Sequence, residues 1–456
     1  MSTPHLMEDH MQLRHGLRPL VVALTLVLVA AACGDDDGGE TGGGGGTSAT
    51  GGAVDCAADE FGCVEIASGD PIQLASLLSI TGDTAFLGTD SNHGVELAID
   101  YLDGTFDGTP GQLLDHDVEL TQEDDGCSAE GGQAGATAIA ANPDVVAVIG
   151  TSCSSSALGV ADTILGDKGI LLFSPSNTNP GLTSEEAHQA FYARTAHNDK
   201  IQGAIVADFV FTELGLTTAA TINDESPYAD GLAAAFRDNF EALGGTITGV
   251  EQVSSSDTDL GPVFTNIAAS EPEVVYGPNF NPVCALSYTQ GSDILAKGTI
   301  QVGSDGCLET SFLDTVGAPI KDFAYYASSP DVSAYQSGAF YKDEYLPAYT
   351  DQFGKPTSVF NAHAYDATNV LFDAIEAVAV DDGSGNLTIS RTALKDAVLA
   401  TSGYEGLTGT ITCTPLGDCA TDVTIGIFEY DHWPVEGGTD PTDPVFSETK
   451  TLADVI

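Results

Sequence analysis

Positive charge is what this sequence most lacks: its 456 residues carry 13 Lys+Arg against 67 Asp+Glu, a formal net charge of −54. Such a surface repels nucleic acid and anionic lipid headgroups, so neither is expected as a partner. Long apolar runs are almost as scarce. Residues 20–32 form one, broken only by Thr25, and no second follows, which argues against a membrane-spanning helix. The common catalytic signatures are missing too. There is no phosphate-binding G-x-x-x-x-G-K-[ST] run and no H-E-x-x-H, and Gly150-Thr151-Ser152-Cys153-Ser154 lacks the final glycine of a nucleophile elbow. No C-x-x-C pair occurs, and the nine His show no ligand spacing beside the cysteines, so no metal and no cofactor is expected. The composition, 42% hydrophobic and 7% aromatic, remains that of a globular protein. Two readings of the acidity stay open, adaptation to a salty habitat and an acidic but otherwise ordinary secreted protein.

The one apolar run says where the protein works. Arg14 and Arg18 precede it, and its 13 residues match the core of a signal peptide. It ends Leu28-Val29-Ala30-Ala31-Ala32-Cys33, which resembles the bacterial lipobox, so Cys33 is expected to carry lipid as the mature N-terminus. Glu8 and Asp9 are less signal-like, which makes Met11 a candidate start. Residues 1–32 are thus read as a lipoprotein signal. Residues 33–55, rich in Gly, Ser and Thr, cannot bury apolar surface and read as a flexible tether of roughly 25 Å reach. The expected location is the outer face of the cell membrane, lipid-anchored, or the periplasm. Without Cys33 eight cysteines remain, an even number that suits disulfides in an exported chain. Sequence neighbours are the simplest pairing: Cys56 with Cys63, Cys127 with Cys153, Cys284 with Cys307, Cys413 with Cys419.

From Pro71 onward short apolar runs alternate with helical patterns. Strands are expected at 72–78, 118–120, 145–150 and 170–173, with helices at 94–102, 129–141 and 155–165. Continuous Val/Ile/Leu runs between helices are the mark of parallel strands covered on both faces. A second series of the same kind begins near Asn198, with helix 201–211, strand 218–222, helix 229–243, strands 246–253, 274–276 and 299–302. Helices return at 333–353, 360–380 and 392–400, and residues 408–413 and 424–430 look like the arms of a hairpin. The fold class is α/β, with two doubly wound lobes.

In such sheets ligands bind beyond the carboxyl ends of the strands. Strand 145–150 runs into Thr151-Ser152-Cys153-Ser154-Ser155-Ser156, where hydroxyls and free helix-start N–H groups suit a carboxylate, or simply cap a helix. The next tip, Ser174-Pro175-Ser176-Asn177-Thr178-Asn179, is equally polar. The second series offers Asn223 to Tyr228, Tyr276 to Phe280 and Gly303-Ser304-Asp305-Gly306-Cys307. A carboxylate there could pair with a substrate ammonium. The run Asp381-Asp382-Gly383-Ser384-Gly385-Asn386 reads as a solvated turn, with a calcium loop the lesser alternative.

The segment from Asp124-Asp125-Gly126-Cys127 to Gly150-Thr151-Ser152-Cys153-Ser154-Ser155-Ser156 resembles the disulfide loop of the leucine/isoleucine/valine-binding proteins. The likeness continues through residues 79–88, 173–178, Tyr228-Ala229-Asp230-Gly231-Leu232 and Gly303-Ser304-Asp305-Gly306, over most of the chain from residue 71. It implies a type I periplasmic binding protein: lobe one from residues 70–196 plus 328–420, lobe two from 197–327 plus 421–456, joined by a multi-strand hinge. It implies that Cys127 pairs with Cys153. It sets Ser154, Ser176 and Thr178 at the ligand carboxylate, Asp305 at the ammonium, Tyr228 against the ligand, and Leu87, Phe280 and Phe360 around its side chain. Asp305 stands where the family has a Glu, so the ammonium must sit deeper or a water must bridge. The implied function is an extracellular, monomeric solute-binding lipoprotein of an ABC transporter, which captures a branched-chain or other small amino acid by lobe closure and delivers it to the permease. A sensory lipoprotein signalling to a membrane receptor is the rival reading, and a hydrolase a distant one.

Overall fold

The computed structural model describes residues 55–333, 338–430 and 444–456. Cys33, the signal segment and most of the tether lie outside these residues.

Two sheets organise the chain. The first runs, edge to edge, Gln112–Leu113, His116–Asp124, Ile72–Leu78, Val145–Gly150, Leu171–Ser174 and Tyr192–Arg194, and is parallel apart from the first pair. Every residue of Val145–Gly150 is buried, as a central strand covered on both faces requires. One face meets helices Ala85–Asp100 and Phe360–Val378, whose Val95, Ile99, Val370 and Leu371 pack on Ile72, Leu74 and Ile149. Helix Ala129–Ala140 covers the other face, with Ala136 and Ile139 against Ala75 and Val148.

The second sheet runs Phe446–Lys450, Val423–Glu429, Tyr325–Pro330, Ile300–Gly303, Val274–Tyr276, Thr218–Asp224 and Thr246–Val253. Its last five strands are parallel and its first two antiparallel additions. Helices Asp199–Asp208 and Pro227–Ala242 cover one face, Gly261–Ala269 and Val283–Ile294 the other. The chain passes between the sheets after Arg194, after Pro330 and again between Cys419 and Val423.

The cysteines pair with their sequence neighbours: Cys56–Cys63, Cys127–Cys153, Cys284–Cys307 and Cys413–Cys419. Among the described residues no helix is long and apolar enough to cross a membrane, and no group of three or more His, Cys, Asp or Glu could hold a metal ion. Asp381 and Asp382 cap the backbone N–H groups of Gly383 and Ser384 at 2.7 Å each, in a turn that joins strands Val380–Asp381 and Leu387–Ser390.

Several expectations need correction. Residues 408–413 and 424–430 do not pair with each other: Gly409–Ile411 pairs with Tyr404–Gly406, while Val423–Glu429 enters the second sheet beside Tyr325–Pro330. The apolar Ile425, Ile427 and Phe428 are fully buried there, an environment that a two-stranded ribbon cannot supply. The helix expected at 94–102 begins nine residues earlier, at Ala85, because its Asp90, Ser91 and Asn92 are polar yet buried. The helix expected at 155–165 breaks between Ala157 and Ala161. Strand Cys63–Ile66, which pairs with Leu387–Ser390, and edge strand Tyr192–Arg194 carry too few residues to show a pattern.

Candidate functional site

On lobe one the site is built from consecutive strand tips. Val145–Gly150 ends in a glycine with φ of +149°, where an added Cβ would stand 2.2 Å from the Leu77 carbonyl oxygen, so only glycine lets the strand end there. The chain then turns through Thr151 and Ser152. Ser152 donates its N–H to Asp125 at 2.7 Å, and its hydroxyl accepts the Ser79 N–H at 2.9 Å. Burial pushes the Asp125 carboxyl up to about 7, against the backbone N–H groups that stabilise its charge. The Cys127–Cys153 disulfide closes the same loop.

The three hydroxyls expected at a carboxylate are all buried here, but they differ in what they can still do. Ser154 accepts the Asn179 N–H at 3.2 Å, which leaves its own proton free to donate. Ser176 donates to the Ser152 carbonyl at 2.9 Å, so its proton is committed and its part is to hold the loop. Thr178 Oγ1 is buried without a well-formed hydrogen bond.

Arg194 shapes this loop. It is fully buried, and its Nε pairs with Asp418 at 2.7 Å. One Nη donates to the Asn177 and Asn179 carbonyls at 3.2 and 2.9 Å, the other to the Thr183 hydroxyl at 2.7 Å. The guanidinium therefore clamps the backbone on both sides of Thr178.

Lobe two meets this tip directly, since Asn179 Nδ2 donates to the Pro227 carbonyl at 2.6 Å. Tyr228, the next residue, is buried in helix Pro227–Ala242. Its hydroxyl donates to Asp305 Oδ1 at 2.9 Å and lies 2.7 Å from Ser304 Oγ. Asp305 opens the turn Asp305–Cys307, which the Cys284–Cys307 disulfide holds to the neighbouring helix. The same Asp305 oxygen accepts from Gln202 Nε2 at 2.8 Å, and Gln202 Oε1 bonds His197 Nε2 at 2.6 Å. No Lys or Arg pairs with Asp305 among the described residues.

Beside Asp305 lies a narrow pocket with an enclosed volume of only about 10 Å3, lined by Phe86, Leu87, Leu308, Ser329, Ser358, Val359 and Phe360. Leu87 and Phe360 are buried in one apolar cluster, against which Phe280 packs. The Phe280 ring also lies 4.9 Å from that of Tyr228, centre to centre. Asp90 holds the walls in place. Its carboxylate accepts from Tyr349 at 2.6 Å, from the Thr357 N–H and Asn361 Nδ2 at 2.8 Å each, and from Ser358 at 3.1 Å. The helix bearing Leu87 is thereby tied to the loop and helix bearing Phe360.

A fold of this kind, with polar strand tips of two α/β lobes facing one another, has relatives. The family model described as periplasmic binding protein matches residues 71–423. The chain belongs to the periplasmic binding protein family. Among curated relatives of this binding protein, the Leu/Ile/Val-binding protein BraC3 of Rhizobium johnstonii is 28% identical over 331 residues, 71% of this chain and 83% of the relative. Among solved structures, the leucine binding protein LivK of Thermotoga maritima superposes with a TM-score of 0.69 at 23% identity, covering 84% of this chain and all of the other. The branched-chain amino acid transporter substrate binding protein LivJ of Streptococcus pneumoniae, in complex with isoleucine, gives 0.67 at 21% identity, with coverages of 84% and 99%. These likenesses establish the type I periplasmic binding protein fold.

The structure thus brings the expected residues together in three groups: Ser154, Ser176 and Thr178 on two adjacent tips of lobe one, Tyr228 bonded to Asp305 on lobe two, and Leu87, Phe280 and Phe360 in one apolar cluster. Sequence reading missed Asp90, Arg194, His197, Asp199, Gln202 and Asp418. A signal for Arg194 did exist, as a cation directly after the apolar run Phe191-Tyr192-Ala193. Its partner Asp418, 224 residues away, carried none.

Proposed function

We propose that this binding protein captures a small amino acid, with a branched-chain side chain as the first candidate, between its two lobes and presents it to the permease of an ABC transporter. The observation that carries the reading is Asp305: a carboxylate at a strand tip that neutral donors orient and that no Lys or Arg among the described residues pairs with, beside an apolar pocket. An α-ammonium would complete it. Ser154, whose hydroxyl proton is free, and Thr178 would take the carboxylate, and Leu87, Phe280 and Phe360 would enclose the side chain. The curated relatives named for leucine, isoleucine and valine support the same class of ligand.

Dividing the contacts between lobes supplies the mechanism. A ligand held at one end by lobe one and at the other by lobe two is satisfied only in the closed form, so it shifts a hinge equilibrium by its differential affinity for that form. Lipidation at Cys33 and the tether of residues 33–55 would keep the body at the membrane surface as a monomer. The test is calorimetric titration with L-leucine, L-isoleucine, L-valine and L-threonine. Asp305→Ala is expected to weaken binding by about 2–5 kcal/mol, because it strands a buried ammonium. An unchanged Kd for the preferred amino acid would remove Asp305 from the site.

A further inference from the structure

All three chain crossings between the lobes meet at one cavity. Thr195 and His197 of the first crossing, Pro330 and Asp331 of the second, and Ala420 and Asp422 of the third line it, and His363 and Ile411 of lobe one complete its wall. Its volume is about 180 Å3, whereas about 10–15 Å3 by the same measure admits a single water. It shares no lining residue with the pocket beside Asp305.

The walls fix the chemistry of an occupant. His363 Nδ1 faces the Thr195 carbonyl at 3.1 Å, so it carries the ring proton and Nε2 carries the lone pair. Gln202 donates its amide N–H groups to Asp305 and Ser328, which leaves its Oε1 to accept the His197 Nε2–H at 2.6 Å. The lone pair of His197 is therefore on Nδ1. The two rings are only 1% and 6% exposed, and both lone-pair nitrogens are buried without a hydrogen-bond partner. Burial also lowers the pKa of each imidazole, so neither supplies positive charge. Two such lone pairs call for a donor. Asp331 and Asp422 add carboxylates to the lining, and no Lys or Arg stands there, so the matching donor is cationic. Pro330, Ile411 and Val423 give the cavity an apolar side. Among the described residues no group of three or more His, Cys, Asp or Glu could hold a metal ion, which favours an organic cation.

We propose that this cavity is a second ligand site, which takes a small alkylammonium and, through the three crossings it touches, favours lobe closure. Hinge motion is absorbed in such crossings, so an occupant that spans them responds to the angle between the lobes. In the form described the lobes already touch, through Asn179 Nδ2 on the Pro227 carbonyl and through Phe280 packed on the cluster of Leu87 and Phe360. An occupant that fits the cavity in this form stabilises it. His197 also continues inward, through Gln202, to Asp305, and so ties the cavity wall to the amino-acid cleft. Each ligand then tightens the other by one common factor, about fivefold or more. That coupling rests on the amino-acid reading above; the site itself does not.

The experiment is ligand-detected NMR titration of the whole protein with n-butylammonium chloride, in about 0.15 M NaCl so that the acidic surface is screened. Butanol and sodium butyrate serve as neutral and anionic probes of the same length. Saturable binding of the ammonium with a Kd on the order of 1 mM is expected, with neither control binding. It should survive Asp305→Ala, because the amino-acid cleft is a separate place that also suits an ammonium. Asp422→Asn and Ala420→Leu should each weaken it about threefold or more, through the lost charge and the lost space; Asp422 is exposed, so its replacement leaves the core untouched. In calorimetry, saturating butylammonium should lower the Kd of the preferred amino acid among L-leucine, L-isoleucine, L-valine and L-threonine about fivefold or more. Butylammonium that does not bind, binds no better than butanol, or is lost in Asp305→Ala but not in the two cavity variants would overturn the site. An amino-acid Kd that rises or stays constant would overturn its coupling to closure. Failure of all four amino acids to bind would overturn the amino-acid reading, and the NMR titration would still decide the site.

Discussion

Removing Asp418 should be strongly destabilising, because it breaks a buried ion pair. Its side chain is 4% exposed and that of its partner Arg194 is 0% exposed, at 2.7 Å. Asp418→Ala would leave a guanidinium sealed inside lobe one with carbonyls and one hydroxyl but no directly paired anion. A buried pair broken from one side typically costs about 3–5 kcal/mol, far more than a surface pair. In urea this should appear as a midpoint lowered by about 1–1.7 M at a slope near 3 kcal/mol/M, with the slope unchanged. The loop holding Thr178 should loosen as well, because Arg194 donates to the carbonyls of Asn177 and Asn179, so affinity for the preferred amino acid should fall alongside stability. The apolar pair Arg194→Met with Asp418→Leu should recover much of the stability but not the loop's hydrogen bonds, which separates the charge effect from the clamp. A loss below about 1 kcal/mol in Asp418→Ala would refute the account of a buried, functionally coupled ion pair.

Acid should attack the protein through His363. Its ring Nδ1 lies 3.1 Å from the Thr195 carbonyl, and burial holds the imidazole down to about 4 from an ordinary 6.5. The unfolded chain binds this proton more readily, so stability present above about pH 6.5 drains away towards pH 4, by about 3 kcal/mol in all; His363→Gln should flatten that part of the pH profile, and an unaltered slope would count against it. Non-reducing peptide mapping should find Cys127 joined to Cys153, and replacing both by Ser should cost about 3–4 kcal/mol for a loop of 26 residues; a stability change near zero would show that other contacts hold the loop. With a net charge of −54, melting temperature should climb from low to molar salt as screening relieves self-repulsion; a flat series would argue against adaptation to salt.

The sequence by itself determined the α/β class and the positions of the strand tips, because uninterrupted runs such as Val145 to Gly150 have one stable environment, a sheet covered on both faces. It also brought the serine and threonine tips and Asp305 into view, since the ends of such strands are where ligands bind. Close spacing was enough to suggest the cysteine pairs. Other features depended on tertiary structure. One Asp among 67 acidic residues looks like any other until the chain folds. Asp418 reaches Arg194, and Asp90 gathers Tyr349, Thr357, Ser358 and Asn361, only because segments far apart in sequence converge. Periodicity records which face of an element is buried, but not which distant residue lies across from it. For a buried charge that partner is decisive, because removal from water is tolerable only where a counter-charge or a full set of hydrogen bonds awaits.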